Sequence, residues 1–192
     1  MLNNLLMKTR SYRTFDSTKI GFENLESMIE AARLGGSARN SQTIRFTLVD
    51  SESLCHKIFP HTAWAGAIPW SPTLEESPRA YILISTLKDS PLTPITLGID
   101  IGIAAQNILL KATDLGFGGC LIGSFNKADV SKTLDLDLEL YNPQILIALG
   151  KPTDKVIITE GNTSNLKYHR DVETKTHYVP KLPLTTLILK KF

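Results

Sequence analysis

The stretch from Leu97 to Leu115 constrains the fold more than any other part of the chain. Its apolar residues recur at helical spacing and occupy nearly the whole circumference. It therefore reads as a helix buried on several sides, not along a single stripe. Asp100, Gln106, Asn107, Lys111 and Asp114 interrupt it, more polar groups than a bilayer core tolerates in one span. Gly98, Gly102 and Ala105, at i, i+4 and i+7, form a small-residue strip along which another helix can come close. At 192 residues the chain makes one domain of ordinary size. A second copy covering one face of the helix is the favoured reading, and the central helix of a monomer is the alternative.

Composition narrows the partners. With 42% hydrophobic and 21% charged residues the chain is that of a soluble globular protein. A net charge of +2, with no basic run interleaved with aromatics, gives no footprint for nucleic acid. Met1 to Arg13 lacks the apolar segment and small-residue cleavage site of a signal peptide. Cys55 and Cys120 form no CxxC pattern, so two reduced thiols and a cytoplasmic location are expected. His56, His61, His169 and His177 show no metal-ligand spacing, and no bound metal is expected.

The remaining elements follow from periodicity. Phe22 to Leu34 sets Leu25, Met28, Ile29 and Ala32 on one helical face and is stopped by Gly35 and Gly36. Arg45–Asp50 and Arg79–Thr86 read as strands, the second apolar enough to be central. Pro60 to Pro78 between them reads as a long surface loop, rich in Pro, Trp and Ser, of the kind that often forms a lid. Gly116 to Gly123 turns into a short strand, Lys127–Leu134 is a small helix, and Gln144–Gly150 is another apolar strand. The polar tail from Val156 to Phe192 is not expected to build a core of its own, but to wrap over the domain or over a neighbouring subunit. Strands and helices mix without regular βαβ alternation, so an α+β fold is expected.

Three segments carry residues suited to chemistry. Arg10-Ser11-Tyr12-Arg13 places two guanidinium groups beside a hydroxyl, a grip for an anion or the electron-rich edge of a heterocycle. Ser37-Ala38-Arg39-Asn40-Ser41-Gln42 offers paired amide donors and acceptors, and an ordinary polar turn has the same composition. Gly118 to Gly123 (GGCLIG) lets backbone N–H groups approach a planar ligand. It follows a helix and enters a strand, the reverse of a dinucleotide-binding fingerprint.

In this order, RSYR, then SARNSQ, then DIGIAAQNILLKATDLGFGG running into CLIGSF, then ALGKP, the sequence resembles the FMN-dependent nitroreductase family. The resemblance covers Arg10 to about Pro152, with a weaker match at HYVPK near the C-terminus. It implies a nitroreductase-like α+β fold, with an antiparallel-type central sheet flanked by helices. It also implies an intertwined homodimer holding FMN at the subunit interface. Residues 1–192 then form a single FMN-binding domain, with 156–192 as a C-terminal extension around the partner.

By that similarity Arg10, Ser11 and Arg13 contact the FMN, and Ser37, Asn40 and Gln42 of the second motif also bind it, Asn40 and Gln42 from the other subunit. Leu121, Ile122 and Gly123 lie along the flavin with a backbone N–H near N5, and Lys181 contacts the phosphate. NAD(P)H delivers reducing equivalents, and a small electron-poor acceptor such as a nitroaromatic or quinone collects them in a ping-pong cycle. The flavin carries that chemistry, so no side-chain catalytic group is expected. The alternatives are a same-fold reductase of another substrate, such as a dehalogenase or enone reductase, and a flavin-binding protein with little turnover. Gly36, Thr43 and Leu182 depart from the family pattern; at Leu182, either Lys167 or Arg170 substitutes as a phosphate contact or the phosphate is held less tightly.

Overall fold

A four-stranded antiparallel sheet occupies the centre, made of β1 (Ile44–Val49), β2 (Ala80–Leu87), β3 (Gly118–Ile122) and β4 (Tyr141–Gly150) in the order β1-β2-β4-β3. The computed structural model describes residues 2–192. Strand β2 is buried along all but its last residue, as its unbroken apolar run requires. Its alternate side chains enter two different cores. Ala80, Ile82 and Ile84 meet α2 (Phe22–Arg33) and the long helix α4 (Pro94–Asp114) on one face. Tyr81 and Leu83 meet α3 (Glu52–Ile58), Trp64 and Ala65, and α5 (Lys127–Thr133) on the other. A short helix, α1 (Leu2–Lys8), packs against α4.

Helix α4 begins three residues before the apolar run that signals it. Thr93 caps it by accepting the N–H of Thr96 at 3.2 Å, and Pro94 occupies the first turn. Its end is fixed by Gly116 at φ +83°: Gly116 N–H donates to Thr113 O at 3.1 Å and Phe117 N–H to Ala112 O at 2.8 Å. Those two bonds form the left-handed terminus that favours glycine. The end of α2 differs in cause. A Cβ on Gly35 would stand 2.8 Å from Asn107 Nδ2 and 3.1 Å from Ile103 Cγ2, so close approach to α4 requires this glycine. Asn107 Nδ2 in turn donates to Ala31 O at 3.2 Å, holding the last turn of α2 on α4.

Burial along α4 is uneven. Ala104, Ala105, Ile108, Leu109 and Ala112 lie in the core, whereas Ile95, Ile99 and Ile103 are exposed beside the exposed Gly98 and Gly102. The small-residue strip is therefore shorter than the sequence implies. Ala105 is buried in its own chain, and the open apolar face belongs to the N-terminal half of the helix. By length and composition alone α4 could cross a membrane, but it packs here as a core helix against α2 and β3.

Strand β4 starts at Tyr141 and not at Gln144, because Tyr141, Asn142 and Pro143 pair with Leu87, Thr86 and Ser85 of β2. Ile84 pairs with Ile145 and Ser85 with Pro143, so Gln144 is an extra residue at a bulge, where a missing N–H breaks no regular ladder bond. The tail carries regular structure that its polar composition does not signal. It forms a second sheet, β5 (Lys155–Glu160), β7 (Thr176–Lys181) and β6 (His169–Asp171) in the order β5-β7-β6, followed by α6 (Leu184–Leu187). Buried Asp154, Thr176 and His177 anchor this sheet to its own chain, a polar core that no hydrophobic pattern discloses.

Candidate functional site

Strand β3 is an edge strand, and the segment Arg10–Arg13 covers part of that edge. Ser11 bridges Gly119 in parallel, and Tyr12 N–H donates to Gly119 O at 3.0 Å. Backbone groups along a strand alternate sides, so the N–H of Leu121, two residues on, points to the same open edge. Leu121 is the one exposed residue of β3, and a Cβ added to Gly123 would meet nothing within 4 Å. The glycines at 118 and 119 have a different use. A Cβ at Gly118 would strike Tyr12 Cδ2 at 2.6 Å and Pro152 Cγ at 2.7 Å, and one at Gly119 would strike Ala148 O. Gly118 lets Tyr12 lie against the sheet, and Gly119 lets β3 close on β4 and α4.

Two cavities adjoin along this edge. One, of about 320 Å³, is lined by Arg10, Ser11, Arg13 and Lys181 with Tyr168 and Val179. The other, of about 210 Å³, lies between the β3 edge at Leu121, Ile122 and Gly123 and the loop carrying Trp64. Arg13 and Tyr168 line both. Seven of the ten residues expected from sequence thus gather around one continuous groove. Arg10 donates from one guanidinium nitrogen to Leu6 O at 2.7 Å, while its Nε is buried without a partner. Buried donors of this kind are rarely left unpaired.

Ser37, Asn40 and Gln42 lie elsewhere, around a separate cavity of about 200 Å³ beside the start of α4. Their loop is held open. Arg39, Asn40 and Gln42 all have φ near +50°, a conformation that costs about 1–3 kcal/mol per residue where side chains are present. Asp100, buried in α4, accepts the N–H of Ala38 at 3.0 and 3.2 Å through its two oxygens, and Ser37 Oγ accepts the N–H of Gln42 at 3.2 Å. Gln42 Nε2 reaches Asn40 Oδ1 at 3.2 Å, so the two exposed amides stand side by side. The polar residue that interrupts the apolar helix is what fixes the amide loop.

Other features were not signalled by motifs. Asp154 is buried, and its carboxylate accepts from Arg13 N–H at 3.0 Å, Thr14 N–H at 3.2 Å, Thr14 Oγ1 at 2.6 Å and Arg170 at 2.8 Å. Arg170 also stacks on Trp70, 4.0 Å from the ring centroid. This corrects the expectation that Arg170 could serve as a phosphate contact, since its charge is already spent on a buried carboxylate. Lys167 is exposed and does not line the groove. The 60–78 segment is likewise less free than a surface loop. Trp64 and Ala65 are buried, and Trp64 Nε1 donates to Thr62 Oγ1 at 2.8 Å. Tyr168 has no motif around it, yet its ring lies 5.5 Å from the Arg13 guanidinium carbon and its hydroxyl accepts the N–H of Ala67 at 3.3 Å.

Neither thiol is suited to attack. Burial pushes Cys55 up to about 12, and burial also raises Cys120 despite the opposing pull of Arg13 and Ser11. His177 is buried next to Asp154, and desolvation drives it down to about 4 against the attraction of that carboxylate. The groove therefore offers cations, an open strand edge and flat walls. It presents no nucleophile activated by a neighbouring base among the described residues.

The nitroreductase family model matches residues 6–80 and 93–151. A Streptococcus pyogenes protein provisionally named an NAD(P)H nitroreductase is 26% identical over 177 residues, covering 77% of this chain and 88% of the relative. The NAD(P)H-dependent FMN reductase of Bacillus subtilis is 26% identical over 165 residues, covering 76% of this chain and 64% of its own length. A provisionally assigned nitroreductase from Desulfovibrio desulfuricans, solved in complex with FMN, superposes with a TM-score of 0.71 at 21% identity, covering 100% of this chain and 96% of that one. With the sheet order, the edge-strand groove and a family match over most of its length, this chain belongs to the nitroreductase family.

Proposed function

We propose that this protein is an FMN-dependent oxidoreductase, a homodimer that takes reducing equivalents from NAD(P)H and passes them to a small electron-poor acceptor such as a nitroaromatic or quinone. The observation that carries the reading is the continuous groove in which Arg10, Ser11, Arg13 and Lys181 meet the open edge at Leu121–Gly123. Each cavity alone is at or below the lower end of the roughly 300–1,000 Å³ of ordinary ligand sites, and joined they fall within it.

The residues fit a flavin nucleotide. The unpartnered Arg10 Nε is a buried donor awaiting an acceptor. Lys181 and the two arginines supply the charge for a phosphate and for a ring edge rich in carbonyls. Space beside Gly123 lets a flat ring reach the strand, and Leu121 presents an N–H to it. When bound, FMN supplies the redox chemistry, taking up and releasing reducing equivalents in two half-reactions. The protein's part is to grip, orient and shelter. Arg10 and Arg13 hold positive charge at one end of the groove, and the Trp64 loop and Tyr168 wall it from water.

The amide loop needs a second copy. Asn40 and Gln42 line a different cavity in their own chain, and the exposed Ile95, Ile99 and Ile103 surround Gly98 and Gly102 close by on α4. Pairing these faces buries the isoleucines and carries the amides to the partner's groove. The exposed Leu184, Leu187, Leu189 and Phe192 are then the part of the tail that reaches across.

Anaerobic titration tests the reading. FMN-loaded protein should bleach with NADH or NADPH and regain colour when a quinone or nitro compound is added. Protein that binds FMN but is bleached by neither nucleotide is a flavin-binding module instead. Protein that takes up no FMN excludes both.

A further inference from the structure

The amide loop hangs on two residues. Ser37 O accepts the N–H of Asn40 at 2.9 Å, Ala38 O that of Ser41 at 3.0 Å, and Ser37 Oγ that of Gln42 at 3.2 Å. Ser37 and Ala38 are thus the base from which both amides project. Arg45, exposed on β1, donates to Gln42 O at 2.8 Å from one side. From the other side Asp100 ties the base to α4, its two oxygens sharing the one N–H of Ala38. Asp100 is 3% exposed and pairs with no cation among the described residues. A buried carboxylate with so little compensation costs stability and does not add to it. What it supplies is geometry, because Arg39, Asn40 and Gln42 hold φ near +50°, a conformation that persists only where the surroundings enforce it. The same tie joins the loop to the helix whose opposite face is open: Ile99, next to Asp100, and Ile103, a turn further on, are both exposed.

We propose that Asp100 is a positioning residue for flavin recognition, locking the amides of Asn40 and Gln42 to the dimer-forming helix so that they meet the ring edge of the partner's flavin in one register. The proposal rests on the dimeric FMN reading above. Gln42 Nε2 donates to Asn40 Oδ1, which leaves Asn40 Nδ2 as a donor beside Gln42 Oε1 as an acceptor. The pyrimidine edge of a flavin, an N3–H between two carbonyl oxygens, is the complement of that pair. Without the tie the loop can relax, and the amides lose their common direction.

The test titrates FMN and N3-methyl-FMN, in which that N–H is blocked, into the flavin-free wild type, Asp100→Ala, Asp100→Leu and Asp100→Asn. Flavin fluorescence gives the two dissociation constants, and sedimentation gives the oligomeric state. Leaving one buried polar group unpaired weakens binding about 5–150-fold, so the wild type should prefer FMN by a factor in that range. Asp100→Ala and Asp100→Leu have no acceptor for the Ala38 N–H, and should stay dimeric while losing most of the preference. Asp100→Asn keeps an acceptor oxygen and should retain most of it. A preference within about twofold of the wild type in both acceptor-free variants would overturn the proposal, even if both flavins bound more weakly, since Asp100 would then support the fold alone. Acceptor-free variants that fail to fold or sediment as monomers would overturn it as well. So would an Asp100→Asn that falls as far as Asp100→Ala, by assigning the effect to the charge and not to the tie. A wild type that binds both flavins equally would overturn it at its premise, that the amides meet the N3 edge. A wild type that takes up no FMN would instead refute the underlying reading, without reference to Asp100.

Discussion

The carboxylate of Asp154 accepts the main-chain N–H of Arg13 at 3.0 Å, across 141 positions of sequence. With Thr14 and Arg170 on the same carboxylate, this one buried group joins the N-terminal cation motif to the C-terminal sheet. Asp154→Ala would leave Arg170 buried and unpaired, a loss of about 3–5 kcal/mol. At about 2–4 °C per kcal/mol for a chain of this size, thermal unfolding should shift down by roughly 10 °C. FMN affinity should fall with it as Arg13 loses its anchor. Unfolding within about 2 °C of the wild type would show that the hub is not structural.

His177 gives the fold a pH dependence. Its folded-state pKa is about 4, below the 6.5 of an unconstrained histidine, because burial outweighs the attraction of Asp154. Between these values the unfolded chain binds a proton that the folded chain refuses, so stability rises with pH across that window. The contribution is present above pH 6.5, is lost as pH falls, and is gone below about 4. Urea midpoints from pH 7.5 to 4.5 should drop, and the drop should shrink in His177→Asn. An identical profile in both proteins would show that other groups set the acid limb.

Lys181 lines the groove at the end of β7, and its proposed contact is the phosphate. A hydrogen bond to a charged group contributes about 1.5–3 kcal/mol, so Lys181→Ala should weaken FMN roughly 10–100-fold. Riboflavin, which lacks the phosphate, should bind both proteins alike. Equal losses for the two ligands would place Lys181 elsewhere on the flavin.

The exposed apolar face of α4 makes a separate prediction. Ile99 is 59% exposed in the single chain, beside the open Gly98 and Gly102. A Glu at position 99 would have to be buried as an unpaired charge in the dimer. Ile99→Glu should sediment as a monomer and lose tight FMN binding together with the dimer. A variant that stays dimeric would move the interface off this face.

Much of this was legible in the sequence, for identifiable reasons. Helix α2 and strand β2 carry strong single periodicities and lie within one residue of their expected ends. The groove residues Arg10, Ser11, Arg13 and Leu121–Gly123 belong to local motifs, and locality is what one sequence displays. The second sheet is not legible in the tail because the buried groups beneath it, Asp154, Thr176 and His177, are polar, and hydropathy reads such residues as surface. Strand β4 begins three residues ahead of its apolar run, and Pro143 there lies beside a bulge, one of the few places where a sheet admits proline. Tyr168 had no signal at all, since its place depends on a 101-residue separation from Ala67.

The central claim is that each flavin site draws Arg13 from one chain and Asn40 from the other. It is tested most directly by a purified heterodimer of an Arg13→Ala protomer and an Asn40→Ala protomer, co-expressed with different tags, in which tight FMN binding is counted by equilibrium titration. Sharing between chains gathers both lesions in one site and leaves the other intact, so the account predicts one tightly bound FMN per heterodimer and none in either mutant homodimer. A heterodimer with no tight site would mean that both motifs serve the same chain's groove, and would contradict it.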